Sequence, residues 1–335
     1  MITLGYKLSS EEQSATDLVR YAQMAQDTGF GFALISDHYH PWIDRQGQSP
    51  FVWSVLGAIA HATQRLTVGT AVTCPTMRIH PAIIAQAAAT TATLMPGRFF
   101  LGVGTGENLN EHVVGQGWPE TEVRQARLEE AIEVIRLLWK GGNQSHHGRY
   151  FTVENARLYS LPDSPPPLYV AVGGARSADL AGRLGDGMIG TDPDASVVAA
   201  FGRAGGAGKP RYAELTVCWA RDERTARRIA KESWPTSAME SNLSWELPLP
   251  EHFAAVAQLV TEDHVAESII CGPDPERHLA AIRKYAAAGY NHVCVHQVGK
   301  DQKGFFEFYA EEILPRLKSV PWPRRKSSSR RGRGK

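Results

Sequence analysis

Short apolar runs alternate with stretches of helical periodicity along most of the chain. The runs Ile2–Gly5, Phe32–Ser36, Leu66–Ala71, Arg98–Val103, Leu168–Val172, Gly187–Gly190, Glu214–Trp219 and His292–His296 have the length and content of buried strands. Between them, Ala15–Asp27, Pro50–Ala62, Pro81–Leu94, Glu122–Trp139, Ser177–Arg183, Glu223–Ser233, Pro275–Ala288 and Gly304–Leu317 read as helices. In 122–139 leucine, isoleucine and valine recur three and four apart, which marks one buried face. Ser177 and Asp274 stand where N-caps are expected. Apolar strands alternating with helices require a parallel sheet covered on both faces. Eight such repeats over about 320 residues suit a closed α/β barrel, the (β/α)8 or TIM barrel, better than an open sheet.

Two stretches break the alternation. One is a hairpin-like excursion, Arg149–Val153, followed by the proline-rich Pro162–Pro167. The other is 234–265, which contains Trp234, Trp245 and several prolines. Both read as insertions, the second as a lid or pocket wall over the C-terminal mouth; a surface excursion that only packs is the alternative. The barrel domain is expected over 1–318. The tail 319–335 ends in a basic, serine-rich run that cannot bury apolar surface and is expected to be disordered. A solvated tail is expected there, contact with RNA or acidic lipid being the alternative.

Composition narrows the class. Apolar residues make up 43% of 335, enough for a full core, and 36 basic against 35 acidic residues leave a formal charge of +1. That balance points to neither nucleic acid nor a membrane surface. The cysteines Cys74, Cys218, Cys271 and Cys294 show no C-x-x-C spacing, which removes support for zinc or dithiol redox chemistry and suits a reducing cytoplasm. The N-terminus runs straight into a strand pattern without the features of a signal peptide, and no apolar run approaches the roughly 18 residues of a membrane span.

In a barrel of this kind the working groups stand at the C-terminal ends of strands. Unusual residues cluster there. The second strand runs into Ser36-Asp37-His38-Tyr39-His40-Pro41-Trp42, the third into Ala71-Val72-Thr73, the fourth into Gly104-Thr105-Gly106-Glu107-Asn108-Leu109-Asn110-Glu111, and the fifth into Val172-Gly173-Gly174. His38 is a side chain suited to exchanging a proton near neutrality, with Trp42 and Glu107 expected at the same mouth. Gly102-x-Gly104-x-Gly106-Glu107 is not a dinucleotide fingerprint, because its third glycine comes one residue early. Gly173-Gly174 ahead of a helix offers backbone N–H groups to a phosphate. Gly205-Gly206-Ala207-Gly208-Lys209-Pro210 fails the P-loop pattern and reads as a loop. The remaining histidines lack metal-ligand spacing, and no metal is expected.

Five blocks carry a resemblance: Leu4-Gly5-Tyr6-Lys7, Ser36-Asp37-His38-x-x-Pro41-Trp42, Pro81-Ala82-Ile83-Ile84-Ala85-Gln86, the run Pro96–Glu107, and Leu109-Asn110-Glu111. Together with Cys271–Glu276 and Leu314–Leu317, they resemble the coenzyme F420-dependent glucose-6-phosphate dehydrogenases of the bacterial luciferase-like superfamily, over nearly the whole chain. The resemblance implies that His38 removes a hydroxyl proton, that Trp42 supports the developing charge, that Glu107 protonates the reduced deazaflavin, and that Glu11 lines the substrate side. It implies that Asp37, Ala71, Val72, Thr73, Thr105, Gly106, Asn110, Val172, Gly173 and Gly174 hold coenzyme F420, and that Ala71–Val72 is a non-proline cis peptide. It also implies a homodimer.

One departure changes the expected substrate. Where the sugar-phosphate enzymes have basic residues for the phosphate, this chain has Asp194, Ser244 and Ser268, and Trp245 replaces a pocket histidine. Poor activity on glucose-6-phosphate is expected, and a non-phosphorylated alcohol, or its aldehyde or ketone, is the better substrate. An FMN-dependent monooxygenase of the same superfamily is the alternative, and a non-catalytic cofactor-binding protein a third reading.

Overall fold

The computed structural model describes residues 2–239 and 241–319. Eight parallel strands close into a barrel: β1 (Thr3–Leu8), β2 (Phe32–Ile35), β3 (Thr67–Thr70), β4 (Phe99–Val103), β5 (Leu168–Val172), β6 (Gly187–Gly190), β7 (Arg211–Cys218) and β8 (His292–Gln297). Each pairs with the next in chain order, and β8 pairs with β1 to close the circle. The expected (β/α)8 barrel is therefore the observed fold.

Alternation along each strand divides two cores. Leu4, Tyr6 and Leu8 of β1 point outward into the layer shared with the helices. Inside the barrel Phe32, Leu34, Phe100, Tyr169, Ile189, Tyr212 and Cys294 fill the lumen. Phe100 lies 4.6 Å from Tyr169 and 5.0 Å from Tyr212, ring to ring; such pairs contribute about 0.5–1.5 kcal/mol each beyond area burial. Glycines on neighbouring strands make the room. A Cβ at Gly5 would collide with the Phe32 ring, and one at Gly69 with the Phe100 ring.

The helices start where side chains can satisfy free N–H groups. Ser14 caps Ala15–Thr28, Asp222 caps Glu223–Ser233, and Asp274 caps Pro275–Ala288 as expected. Ser177 does not cap. Its helix begins at Ala175, and the Ser177 hydroxyl instead accepts from the N–H groups of Gly173 (3.1 Å) and Gly174 (3.2 Å).

Other differences have clear causes. β1 runs three residues beyond expectation because Lys7, which ended the apolar run, is neutralised inside the barrel. β7 starts at Arg211 rather than Glu214, since Tyr212 belongs to the lumen. A helix at Ala195–Phe201 was missing from the sequence reading; it is only seven residues long. The first excursion is an antiparallel hairpin, Gln144–His147 with Thr152–Ala156. The second is helical, with Pro235–Ala238, Ser241–Glu246, Pro250–Ala257 and Glu262–Ser268. Among the described residues no helix is long and apolar enough to cross a membrane. Of the expected tail 319–335, only Ser319 lies within the described residues, as the end of the helix Leu314–Ser319.

Candidate active site at the barrel mouth

His38 stands in the loop after β2 between two acceptors. Its Nδ1 lies 3.2 Å from the carbonyl oxygen of His40, and its Nε2 lies 3.4 Å from Oε1 of Glu11. A carbonyl can only accept, so Nδ1 carries a proton; the Glu11 carboxylate likewise can only accept, so its contact favours a ring protonated on Nε2 as well. Glu11, from the loop after β1, is buried, and its other oxygen accepts from the Ser36 (2.6 Å) and Ser9 (3.0 Å) hydroxyls. Burial alone would raise its pKa. The charges of His38 and Lys7 and the Ser36 hydroxyl outweigh it and hold the carboxyl below the ordinary carboxylate range. A carboxylate that stays ionised beside an imidazole stabilises the imidazolium formed when the ring takes a proton.

Trp42 packs edge-on against His38, with ring centroids 5.1 Å apart, and its other side meets Phe253 of the second insertion at 5.3 Å. The insertion therefore touches the site directly. It is latched at Glu246, whose Oε1 accepts from both terminal nitrogens of Arg124 at 3.3 Å and whose carbonyl accepts from Asn108 at 2.9 Å. On the other flank Gln46 donates to the carbonyl of Ser233 at 3.0 Å. Trp245 is held against Gly173, about 3.5 Å from where a Cβ there would sit.

Asn110 joins the loops. Its Oδ1 accepts from the N–H groups of Tyr39 (2.8 Å) and His40 (3.1 Å), and its Nδ2 donates to Glu107 at 3.3 Å. One buried amide thus fixes the distance between the histidine loop and Glu107. Gly106, with φ of +76°, turns the chain tightly into Glu107; a Cβ there would meet Cys74 and Glu111 at 2.8 Å.

The peptide Ala71–Val72 is cis, as the resemblance implied. Both residues are half-buried and cap the aromatic filling of the lumen, so they form the floor of the mouth. Gly104 borders this floor, where a Cβ would meet Val72 at 2.6 Å and Ala171 at 3.3 Å. Thr105 and Glu107 are half-buried beside it.

Three of the named residues face elsewhere. Asp37 is buried, accepting from Thr73 Oγ1 at 2.8 Å and Arg78 Nη2 at 2.8 Å. Thr73 is consequently also turned into protein. Val172 points into the layer under the helices, so it can offer the mouth only backbone. Asp194 is exposed and caps the helix Ala195–Phe201, Ser244 is half-buried on Ser241–Glu246, and Ser268 is exposed.

Sequence reasoning missed the support beneath. Arg78 bridges Asp37 and Glu111; the Glu111 carboxyl accepts from the Arg78 N–H at 2.9 Å and lies 3.6 Å from its Nε. Burial pushes Glu111 up to about 7, against the pull of Arg78 and with help from Glu107 and Asp37. Neither residue is adjacent to the histidine in sequence, and no spacing rule would have connected them.

A closed barrel with an imidazole, an indole and carboxylates gathered at its C-terminal mouth has the layout of a barrel enzyme. Comparison with known proteins agrees. The family model described as luciferase-like monooxygenase matches residues 2–292, and the chain belongs to this luciferase-like family. It is 37% identical to an F420-dependent glucose-6-phosphate dehydrogenase of Beutenbergia cavernae, covering 95% of this chain and 98% of that one. The namesake enzyme of Amycolatopsis mediterranei is 36% identical over 96% of this chain and 100% of its own length. Among solved structures, an F420-dependent secondary alcohol dehydrogenase bound to an F420-acetone adduct superposes with a TM-score of 0.87 at 30% identity, over 93% of this chain and 98% of that chain.

Proposed function

We propose that this protein is a coenzyme F420-dependent oxidoreductase that moves a hydride between the deazaflavin and a non-phosphorylated alcohol, or the matching ketone or aldehyde. The carrying observation is the His38–Glu11 pair at a mouth whose Glu107 is tied to the same loop through Asn110. The names of the full-length relatives support the cofactor.

The residues fit a flat, conjugated group. The floor is the half-buried Ala71–Val72 edge over an aromatic stack, with Gly104 packed closely on Val72 and Trp245 lying against Gly173. Ala71, Val72, Thr105 and Gly106 would hold the ring, and Asp37, Thr73, Asn110, Val172, Gly173 and Gly174 would act through the backbone and loops they fix; the Gly173 and Gly174 N–H groups expected to meet a phosphate donate instead to Ser177 Oγ. When bound, the deazaflavin supplies the hydride acceptor or donor.

His38 Nε2 receives the hydroxyl proton as the alcohol is oxidised, a contribution of roughly 10²–10⁴-fold for a placed base. Glu11 holds the resulting imidazolium and Trp42 packs on its ring, narrowing the position of the hydroxyl. The Glu107 carboxyl, held by Asn110, would supply the proton needed on reduction. Trp42, backed by the buried Phe253, and Trp245 make the substrate side apolar, and none of positions 194, 244 and 268 offers a cation to a phosphate. A cytoplasmic homodimer is part of the same reading; four unpaired, buried cysteines suit that compartment, and sedimentation checks the dimer.

The test is titration of the purified protein with coenzyme F420 and with FMN, followed by a panel of alcohols and glucose-6-phosphate. Binding of F420 and loss of its visible absorbance with a secondary or primary alcohol is expected. Tighter binding of FMN with oxygen consumption would overturn the cofactor assignment, and a preference for glucose-6-phosphate the substrate assignment.

A further inference from the structure

Above the aromatic filling, the inward positions of three strands change from apolar to charged. On β1 the inward residue after Gly5 is Lys7, on β7 Glu214 follows Tyr212, and on β8 His296 follows Cys294. Lys7 is 6% exposed. Its ammonium donates to Glu214 Oε2 at 2.7 Å and to the carbonyl of Ala71 at 3.3 Å. His296 lies 3.3 Å from Glu214 and 3.5 Å from Glu12. A lysine in this position costs desolvation energy, and an apolar residue would fill the lumen more cheaply. In the proton transfer described above its one part is to help keep Glu11 ionised.

Lys7 reaches both halves of the site, one through a hydrogen bond and the other through its charge. The Ala71 carbonyl belongs to the cis peptide that floors the mouth. Glu11, four residues along the chain, lies within the field of Lys7 and carries the carboxylate that faces His38.

We propose that Lys7 is a positioning residue: its ammonium tethers the Ala71 carbonyl and so fixes the floor on which the cofactor ring rests, and, balanced by Glu214, it sets how strongly the negative charge of Glu11 acts on His38. The inference rests on the cofactor reading above for its first half only. The second half concerns groups of the chain itself. The charged and titratable groups around Lys7 are Glu214 on β7, Cys294 and His296 on β8, and Glu11 after β1. Around His38 they are Glu11, the Arg78-bound Asp37, and Glu107 through Asn110. Burial works against the ammonium, yet Glu214 and Glu11 raise Lys7 above its ordinary value, so it stays charged throughout the range of a histidine titration.

Lys7→Met removes one positive charge and the tether. Glu214→Gln removes one negative charge and keeps the tether. The double variant restores the balance without the tether. In cofactor-free protein the His38 imidazole titration, followed by NMR, is expected to move upward by about half a pH unit or more in Lys7→Met, downward in Glu214→Gln, and back in the double variant. The dissociation constant for F420, measured by fluorescence titration, is expected to rise about tenfold in Lys7→Met and in the double variant, the loss of one charge-assisted hydrogen bond. It is expected to stay within about threefold in Glu214→Gln. A purely structural ion pair would move the His38 titration in the same direction in both single variants, or not at all, and either result overturns the proposal. Unchanged F420 affinity in a folded Lys7→Met protein also overturns it. Failure of the unaltered protein to bind F420 overturns the cofactor reading instead, while the His38 titrations still decide the role of Lys7.

Discussion

On the proposed function, replacing Glu11 by glutamine isolates the contact that would make His38 a base. Glu11 Oε1 and His38 Nε2 are 3.4 Å apart, with side chains 3% and 9% exposed. Two unit charges at that separation attract by about 5 kcal/mol at an effective dielectric of 20 and by about 1 kcal/mol in bulk water. In the proposed reaction, the imidazolium formed as an alcohol loses its proton would forfeit an amount between those limits. Geometry adds to the loss. The Ser36 and Ser9 hydroxyls donate to Oε2, so the glutamine oxygen takes that place and its NH2 faces His38, donating to the lone pair that should receive the proton. A fall in kcat of about 10- to 1000-fold is expected, with little change in KM, because the interaction strengthens only as charge develops. Single-turnover oxidation of the best alcohol, at saturating cofactor and several pH values, measures it. A Glu11→Gln enzyme turning over within about threefold of the parent would refute the reasoning. Stability gives a second reading. The Glu11 carboxyl sits below its ordinary range, so its stabilisation is present above the unfolded carboxylate range and is lost as pH falls through the folded value; the variant should lack that acid-side loss.

Other outcomes follow from the same contacts. Asn110→Leu leaves the Tyr39 and His40 N–H groups without their acceptor and should cost about 2 kcal/mol in denaturant unfolding. Asn110→Asp keeps both acceptor bonds but sets a carboxylate against Glu107, so activity should fall with far less loss of stability; equal losses in both assays would contradict the linking role. Gly106→Ala imposes a side chain at φ +76° against Cys74 and Glu111, and should cost about 1–3 kcal/mol and reduce turnover, whereas an unaltered melting temperature would show that the turn adapts. His296, despite the burial that lowers it, is pushed up to about 9 by Glu12 and Glu214. Its stabilisation is complete below pH 6.5 and disappears as pH rises through about 9, so unfolding free energy should fall over that interval by on the order of 1–3 kcal/mol, seen as a lower melting temperature, and a His296→Gln protein should lose less.

The sequence by itself determined the barrel, because the alternation of apolar strands and periodic helices is a local signal repeated eight times. It also placed His38, Trp42 and Glu107 together at one face, since strand ends in a barrel all open there, whereas Glu11 entered only through the family resemblance. It did not reveal that Lys7 continues β1, since a lysine after an apolar run reads as a strand end until its carboxylate partner, more than 200 residues away, is brought to it. The short helix Ala195–Phe201 left too few turns for periodicity to register. Tertiary structure alone decided which way side chains face. Asp37 follows β2 beside the histidine, yet its carboxylate is bound by Arg78 and Thr73, and Val172 turns to the helices by the two-residue alternation of its strand. The bonds from the Tyr39 and His40 N–H groups to Asn110, the Arg78–Glu111 support and the latch at Glu246 all join residues from different βα units. Those distances depend on barrel closure and register, quantities that arise from packing the whole chain and are carried by no single segment of it.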